Sequence, residues 1–198
     1  AGLDNLRWAI RTVAAMGGTG LAGVVYAPWG EFDPPRKARR RALSVEVLAQ
    51  VDGDLRDHGV RLGIEAINRF ETDLVNTAHE AVTLAQDTGS DRIGVLLDSF
   101  HLNIEDKDVV AAIASAGDRL FHFHVSDNDR GVPGSGHVPW DGVRAGLQAA
   151  GYDGWIVAEM FVSAGTPAGA DLNIWRDIEP DATGAAAAAL AFMRGHFG

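Results

Sequence analysis

The chain has 198 residues, 46% hydrophobic and 22% charged, enough to bury a sizeable core. Its formal net charge of −10 repels phosphate backbones and argues against a nucleic-acid partner. There is no cysteine, so disulfides and thiolate metal sites are excluded, and the composition suits a reducing cytoplasm.

In chain order, residues 3–16 read as an amphipathic helix with Trp8, Ile10, Val13 and Ala14 on its apolar stripe. Residues 21–26 form the first of five short apolar strand candidates. Residues 34–58 read as a long helix, Arg-rich at its start and then apolar at Leu43, Val47, Leu48, Val51 and Leu55. A second strand follows over 61–67. Thr77-Ala-His-Glu80 fits a capping box ahead of a helix over 81–88. Strands are then expected at 93–98, 120–125 and 155–159, with helices over 106–116 and 139–150. An Ala-rich helix over 184–196 closes the chain. Such alternation specifies βαβ units and a parallel sheet covered on both faces. No low-complexity linker divides the sequence, so a single domain over 1–198 is expected. No apolar run approaches the roughly 20 residues that span a bilayer and no signal peptide opens the chain, so a membrane association is not expected. The only lysines, Lys37 and Lys107, fall in helix or at a helix start, which leaves none placed for Schiff-base chemistry.

Four successive strands carry a metal-ligand type of residue at or near their C-terminal ends: Glu65, Asp98, His124 and Glu159. Their separations of 33, 26 and 35 positions each hold one helix and two loops. In α/β folds this is the end at which ligands bind. One acidic residue at a strand end is ordinarily a cap or a surface charge, but four in four successive strands form a set. Three carboxylates buried together repel one another unless a cation neutralises them. Three oxygens and one imidazole suit Mn²⁺, Mg²⁺ or Co²⁺ better than zinc. His122 competes with His124, since residues two apart face the same side of a strand; His124 is preferred as nearer the strand end. His101 and Arg130, on the outgoing loops, are placed to approach a bound substrate, or else make a supporting hydrogen bond and a loop salt bridge. His58, His79 and His196 read as surface residues of helices. The loop 130–137 is glycine-rich but lacks the order and the lysine of a phosphate cradle, so it reads as a tight turn beside the site. His137 within it has no assignable role.

Three segments in combination, Glu65-Ala-Ile-Asn-Arg-Phe-Glu71, Leu97-Asp-Ser-Phe-His-Leu-Asn-Ile-Glu105 and His122-Phe-His-Val-Ser-Asp-Asn-Asp-Arg-Gly131, resemble the D-tagatose/D-psicose 3-epimerases, ketose 3-epimerases of the xylose isomerase-like barrel superfamily. Gly136-His-Val-Pro-Trp140 and the strand ending at Glu159 fit as well, so the resemblance covers essentially the whole chain. It implies a (β/α)8 TIM barrel of which this α/β chain carries about five βα units, the fourth to the eighth, with the N-terminal units missing. It further implies that Glu65, Asp98, His124 and Glu159 hold a divalent metal, typically Mn²⁺, with Co²⁺ or Mg²⁺ as alternatives. Glu71, His101 and Arg130 would bind the C1–C2 end of a sugar. Glu65 and Glu159 would flank C3, one removing its proton and the other returning it, and Trp29 would pack on the sugar. The implied assembly is a homodimer or homotetramer. Two other readings stay open: an aldose–ketose isomerase of the hydroxypyruvate type on the same metal site, and a truncated, non-catalytic sugar-binding remnant. A metal-dependent endonuclease on this fold is disfavoured by the charge.

Overall fold

Strands with apolar residues on both faces pair in parallel between helical layers, and the computed structural model, which describes residues 2–198, follows that rule. Strands β1 (Gly20–Gly23), β2 (Arg61–Glu65), β3 (Ile93–Asp98), β4 (Leu120–Val125) and β5 (Ile156–Ala158) form one sheet in the order β1-β2-β3-β4-β5. Every neighbouring pair is parallel. The helices are α1 (Gly2–Ala15), α2 (Lys37–Ala49), α3 (Asp52–His58), α4 (Ala78–Asp87), α5 (Ser99–Glu105), α6 (Val109–Ala116), α7 (Trp140–Ala149), α8 (Pro167–Asp171) and α9 (Ala182–Phe197). The strand order follows the sequence without reversal. A doubly wound sheet reverses, so this is the arc of a barrel, five βα units wide. Among the described residues no helix is long and apolar enough to cross a membrane.

β3 is buried at all six positions, and the core joins it to Leu48 and Leu55 of the helical layer, Leu62 and Ile64 of β2, and Phe123 of β4. Each such side chain removed from water contributes roughly 1.5–3 kcal/mol before entropy is counted. One irregularity positions the site. Val95 pairs with Leu120, but the register shifts at Leu96, so that Asp98 pairs with His124. Without the shift Asp98 would lie opposite Phe123, which faces the other side of the sheet.

Several elements depart from the sequence expectation. β1 ends at Gly23, whose φ of +142° breaks the extended run before Val24. Residues 34–58 divide into a 3-10 turn (Pro34–Arg36), α2 and α3. Buried Val51 turns the chain inward there, and Asp52 and Asp54 restart a helix at its favourable N-terminal end. α5, which starts directly after Asp98, and α8 were not expected, being too short for helical periodicity to register. Lys107 lies between α5 and α6 rather than at a helix start. The capping box of α4 forms as read: Thr77 Oγ1 accepts from the Glu80 N–H at 3.2 Å, and Glu80 Oε2 accepts from the Thr77 N–H at 3.3 Å.

Candidate active site

Four successive strands, β2 to β5, each deliver one polar side chain to the same end of the sheet. Glu65 and Asp98 are the last residues of β2 and β3, and His124 is the penultimate residue of β4. Glu159 directly follows β5, its N–H donating to Val125 O at 3.1 Å. One ligand atom from each of the four lies within 4.8 Å of the others. Asp98 is fully buried, and its second role is local: Oδ1 accepts from the Phe100 N–H at 2.8 Å and caps α5.

A buried Arg130 shares the site. Its Nη1 donates to Asp98 Oδ2 at 2.8 Å and to Glu159 Oε2 at 3.1 Å, and its Nη2 lies 3.0 Å from His101 Nε2. The guanidinium is sandwiched between Phe100, 4.1 Å from the ring centre, and Phe161, at 5.3 Å. The backbone of Arg130 is left-handed, with φ of +67°, at a turn where its N–H donates to Asp127 O. Asp127 is fully buried and organises the following loop: its carboxylate accepts from the N–H groups of Asn128, Gly134 and Val138 and from Trp140 Nε1.

Glu71 and Trp29 join the site from the loops after β2 and β1. Glu71 Oε2 accepts from Trp29 Nε1 at 3.0 Å, and Glu71 O accepts from the Gly30 N–H at 2.9 Å. Asn68, 2% exposed, donates from Nδ2 to Glu71 Oε1 at 2.6 Å and meets His101 on its other side.

The electrostatics are unequal across the site. Burial first, then the Glu159 and Asp98 charges, push Glu65 up to about 8. Glu159 is also partly buried, which opposes ionisation, but His124 and Arg130 outweigh burial and hold it below the usual carboxylate range. Burial pushes His101 down to about 3 against the pull of Asp98, so the ring is neutral at pH 7. For His124 burial is outweighed by the three carboxylates, and its affinity for a proton rises.

A divalent cation fits this donor set. Three carboxylates and one guanidinium carry a formal charge of −2, which such an ion neutralises. The buried His124 Nδ1, 3.4 Å from Glu159 Oε1 and 3.9 Å from Asp98 Oδ2, has no hydrogen-bond partner. An unsatisfied imidazole nitrogen facing carboxylates is what a metal ligand presents.

The structure thus brings Glu65, Asp98, His124, Glu159, Arg130 and His101 together, with Glu71 and Trp29 attached through Asn68. His122 stays outside the four, its ring edge-on to His124 with centres 4.9 Å apart. His58, His79 and His137 are exposed. His196 is not a plain surface residue: it stacks on Phe192, with ring centres 5.2 Å apart, and its Nε2 lies 3.0 Å from Trp140 O. Sequence reasoning missed Asn68, Asp127, Phe100 and Phe161. Asn68, Phe100 and Asp127 sit inside the quoted motifs; His101 and Arg130, the partners of the first two, are distant in sequence, while Asp127 meets its partners only once the loop 128–140 folds back on it.

A model of the family described as xylose isomerase-like TIM barrel matches residues 1–195. A D-psicose 3-epimerase from Agrobacterium fabrum is 37% identical over 181 residues, covering 88% of this chain and 63% of its own length. A ketose 3-epimerase from Arthrobacter globiformis is 31% identical over 196 residues, covering 98% of this chain and 68% of its own length. The chain therefore spans less than two thirds of the Agrobacterium relative. A crystal structure of a D-psicose 3-epimerase in the presence of D-fructose superposes with a TM-score of 0.93 at 34% identity, covering all of this chain and 71% of its own. The chain belongs to the xylose isomerase-like TIM barrel family.

Proposed function

We propose that this site performs metal-dependent 3-epimerisation of a ketose, with residues 1–198 forming one barrel domain. The observation that carries the reading is the convergence of Glu65, Asp98, His124 and Glu159 around one point, with His124 Nδ1 unsatisfied. These four would hold Mn²⁺, with Co²⁺ or Mg²⁺ as substitutes. When bound, the ion supplies a Lewis acid that polarises the ketose carbonyl and acidifies the C3 hydrogen.

The remaining chemistry belongs to the side chains. Glu65 from β2 and Glu159 after β5 flank Asp98 and His124 in the arc, so a carbon between them meets a carboxylate from either side. One removes the C3 proton and the other delivers its own solvent-derived proton to the opposite face, which inverts the centre. His101 and Arg130 donate hydrogen bonds to the oxygens on which charge develops. Glu71 accepts from a hydroxyl at the C1 end, and Trp29 covers the sugar. An uncharged sugar suits a site and a chain of net negative charge. A cytoplasmic location and a homodimeric or tetrameric assembly belong to the same reading.

The test is incubation with D-fructose and Mn²⁺ in deuterated water. The expected result is the C3 epimer carrying one solvent deuterium at C3, with activity falling about 10³-fold in Glu159→Gln. Turnover of hydroxypyruvate in place of the ketose would support the aldose–ketose isomerase, and metal binding with no exchange at C3 would support a sugar-binding remnant.

A further inference from the structure

His101 presents two nitrogens to three N–H donors, and only one arrangement of its proton satisfies most of them. Nδ1 faces the Asn68 backbone N–H at 3.1 Å and the Asn68 amide Nδ2 at 2.9 Å. Nε2 faces Arg130 Nη2 at 3.0 Å and lies 4.0 Å from Glu65 Oε1. A neutral imidazole has one acceptor nitrogen. Two donors on Nδ1, one of them fixed in the backbone, make Nδ1 that acceptor and leave the proton on Nε2. The Asn68 amide cannot turn over to relieve the crowding. Its Oδ1 accepts from the Phe70 N–H at 2.9 Å, and Nδ2 donates to Glu71 Oε1 at 2.6 Å. His101 Nε2–H and Arg130 Nη2–H are then two donors side by side in the site, the arrangement that a single developing oxyanion would bridge.

We propose that Asn68 is a positioning residue that holds His101 in its Nε2-protonated tautomer and fixes the carboxylate of Glu71, so that donor and acceptor face the sugar with set roles. This rests on the reading of His101 and Glu71 as substrate-binding. A buried asparagine outside the four expected metal ligands would thereby decide which side chain gives a hydrogen bond and which receives one.

The test is two-bond ¹H–¹⁵N correlation of ¹⁵N-histidine in the magnesium-loaded full chain, with the His101 signals identified by their loss in His101→Gln. Wild type is expected to show protonated Nε2 and bare Nδ1. Asn68→Asp offers Nδ1 a new acceptor. It should move the population toward the Nδ1–H form and lower kcat about 100-fold, with Mn²⁺ affinity unchanged. Asn68→Ala keeps the backbone donor, so the tautomer should hold while loss of the Glu71 clamp raises KM about tenfold. A wild-type proton on Nδ1, or an Asn68→Asp chain with unaltered tautomer and kcat, overturns the proposal. Should Asn68→Asp fail to fold by circular dichroism, the wild-type spectrum and the KM of Asn68→Ala decide, and an unaltered KM overturns the proposal. An inactive wild type that still shows the Nε2–H form refutes the epimerase reading and leaves the positioning role standing.

Discussion

Arg130 and Asp127 show how one residue's environment is set by others. Arg130 touches two expected metal ligands and His101, is sandwiched by two rings, and sits at a left-handed turn. Lysine has no planar fork to span those contacts. Arg130→Lys is therefore expected to lower kcat/KM about 100-fold with little change in melting temperature, as steady-state kinetics and a thermal melt would show. Asp127 acts on the same loop through stability. Burial alone would raise its pKa, but hydrogen bonds from the backbone and from Trp140 more than offset this and lower it. A lowered folded-state pKa contributes stability that is present above the unfolded value, about 4, and lost as pH falls through the folded value. Asp127→Asn should thus be less stable than wild type by about 1–3 kcal/mol at pH 7, with the gap closing below about pH 4 in urea titrations. A pH-independent gap would contradict this. Residues of this kind were the hardest to read from sequence. Glu65, Asp98, His124 and Glu159 stand at the ends of apolar runs, where strand periodicity alone marks them. Asn68 gains its meaning from His101, 33 positions away, and only the packing of two loops reveals the pair.

At the scale of elements, the site depends on how β3 lies against β4. The register shift at Leu96 puts Asp98 beside His124, and Gly94 lies just before it. A Cβ at Gly94 would approach the Phe121 ring to 2.7 Å and press on Arg119 O. Gly94→Ala should therefore destabilise the chain by about 1–3 kcal/mol and weaken metal binding, through a displaced strand rather than a lost ligand. A urea titration with a parallel Mn²⁺ titration checks both; an alanine variant as stable as wild type would show that the strands separate easily. The strands were legible as short, nearly continuous apolar runs, most clearly β2 and β3, which are buried on both faces. The register shift left no sequence signal, and neither did the break within residues 34–58, which depends on Val51 finding the core.

At the scale of the molecule, β1 and β5 each pair on one side only among the described residues. Between α1, β1 and α2 runs an apolar groove of about 790 Å³ lined by Leu6, Trp8, Leu21, Val24, Leu43 and Val47. Trp8 is 66% exposed there. Unpaired edges and an apolar groove of this size favour association and dye binding. The 198-residue chain on its own should self-associate in light scattering and enhance the fluorescence of an apolar dye. A monodisperse monomer that leaves the dye dark would contradict this. On the proposed function, four side chains delivered by four successive strands hold one cation. Calorimetric titration of Mn²⁺ into wild type and His124→Ala tests it most directly. One Mn²⁺ per wild-type chain and an affinity at least about 100-fold weaker in the variant are expected, whereas equal binding by both, or none by wild type, would contradict a shared cation site.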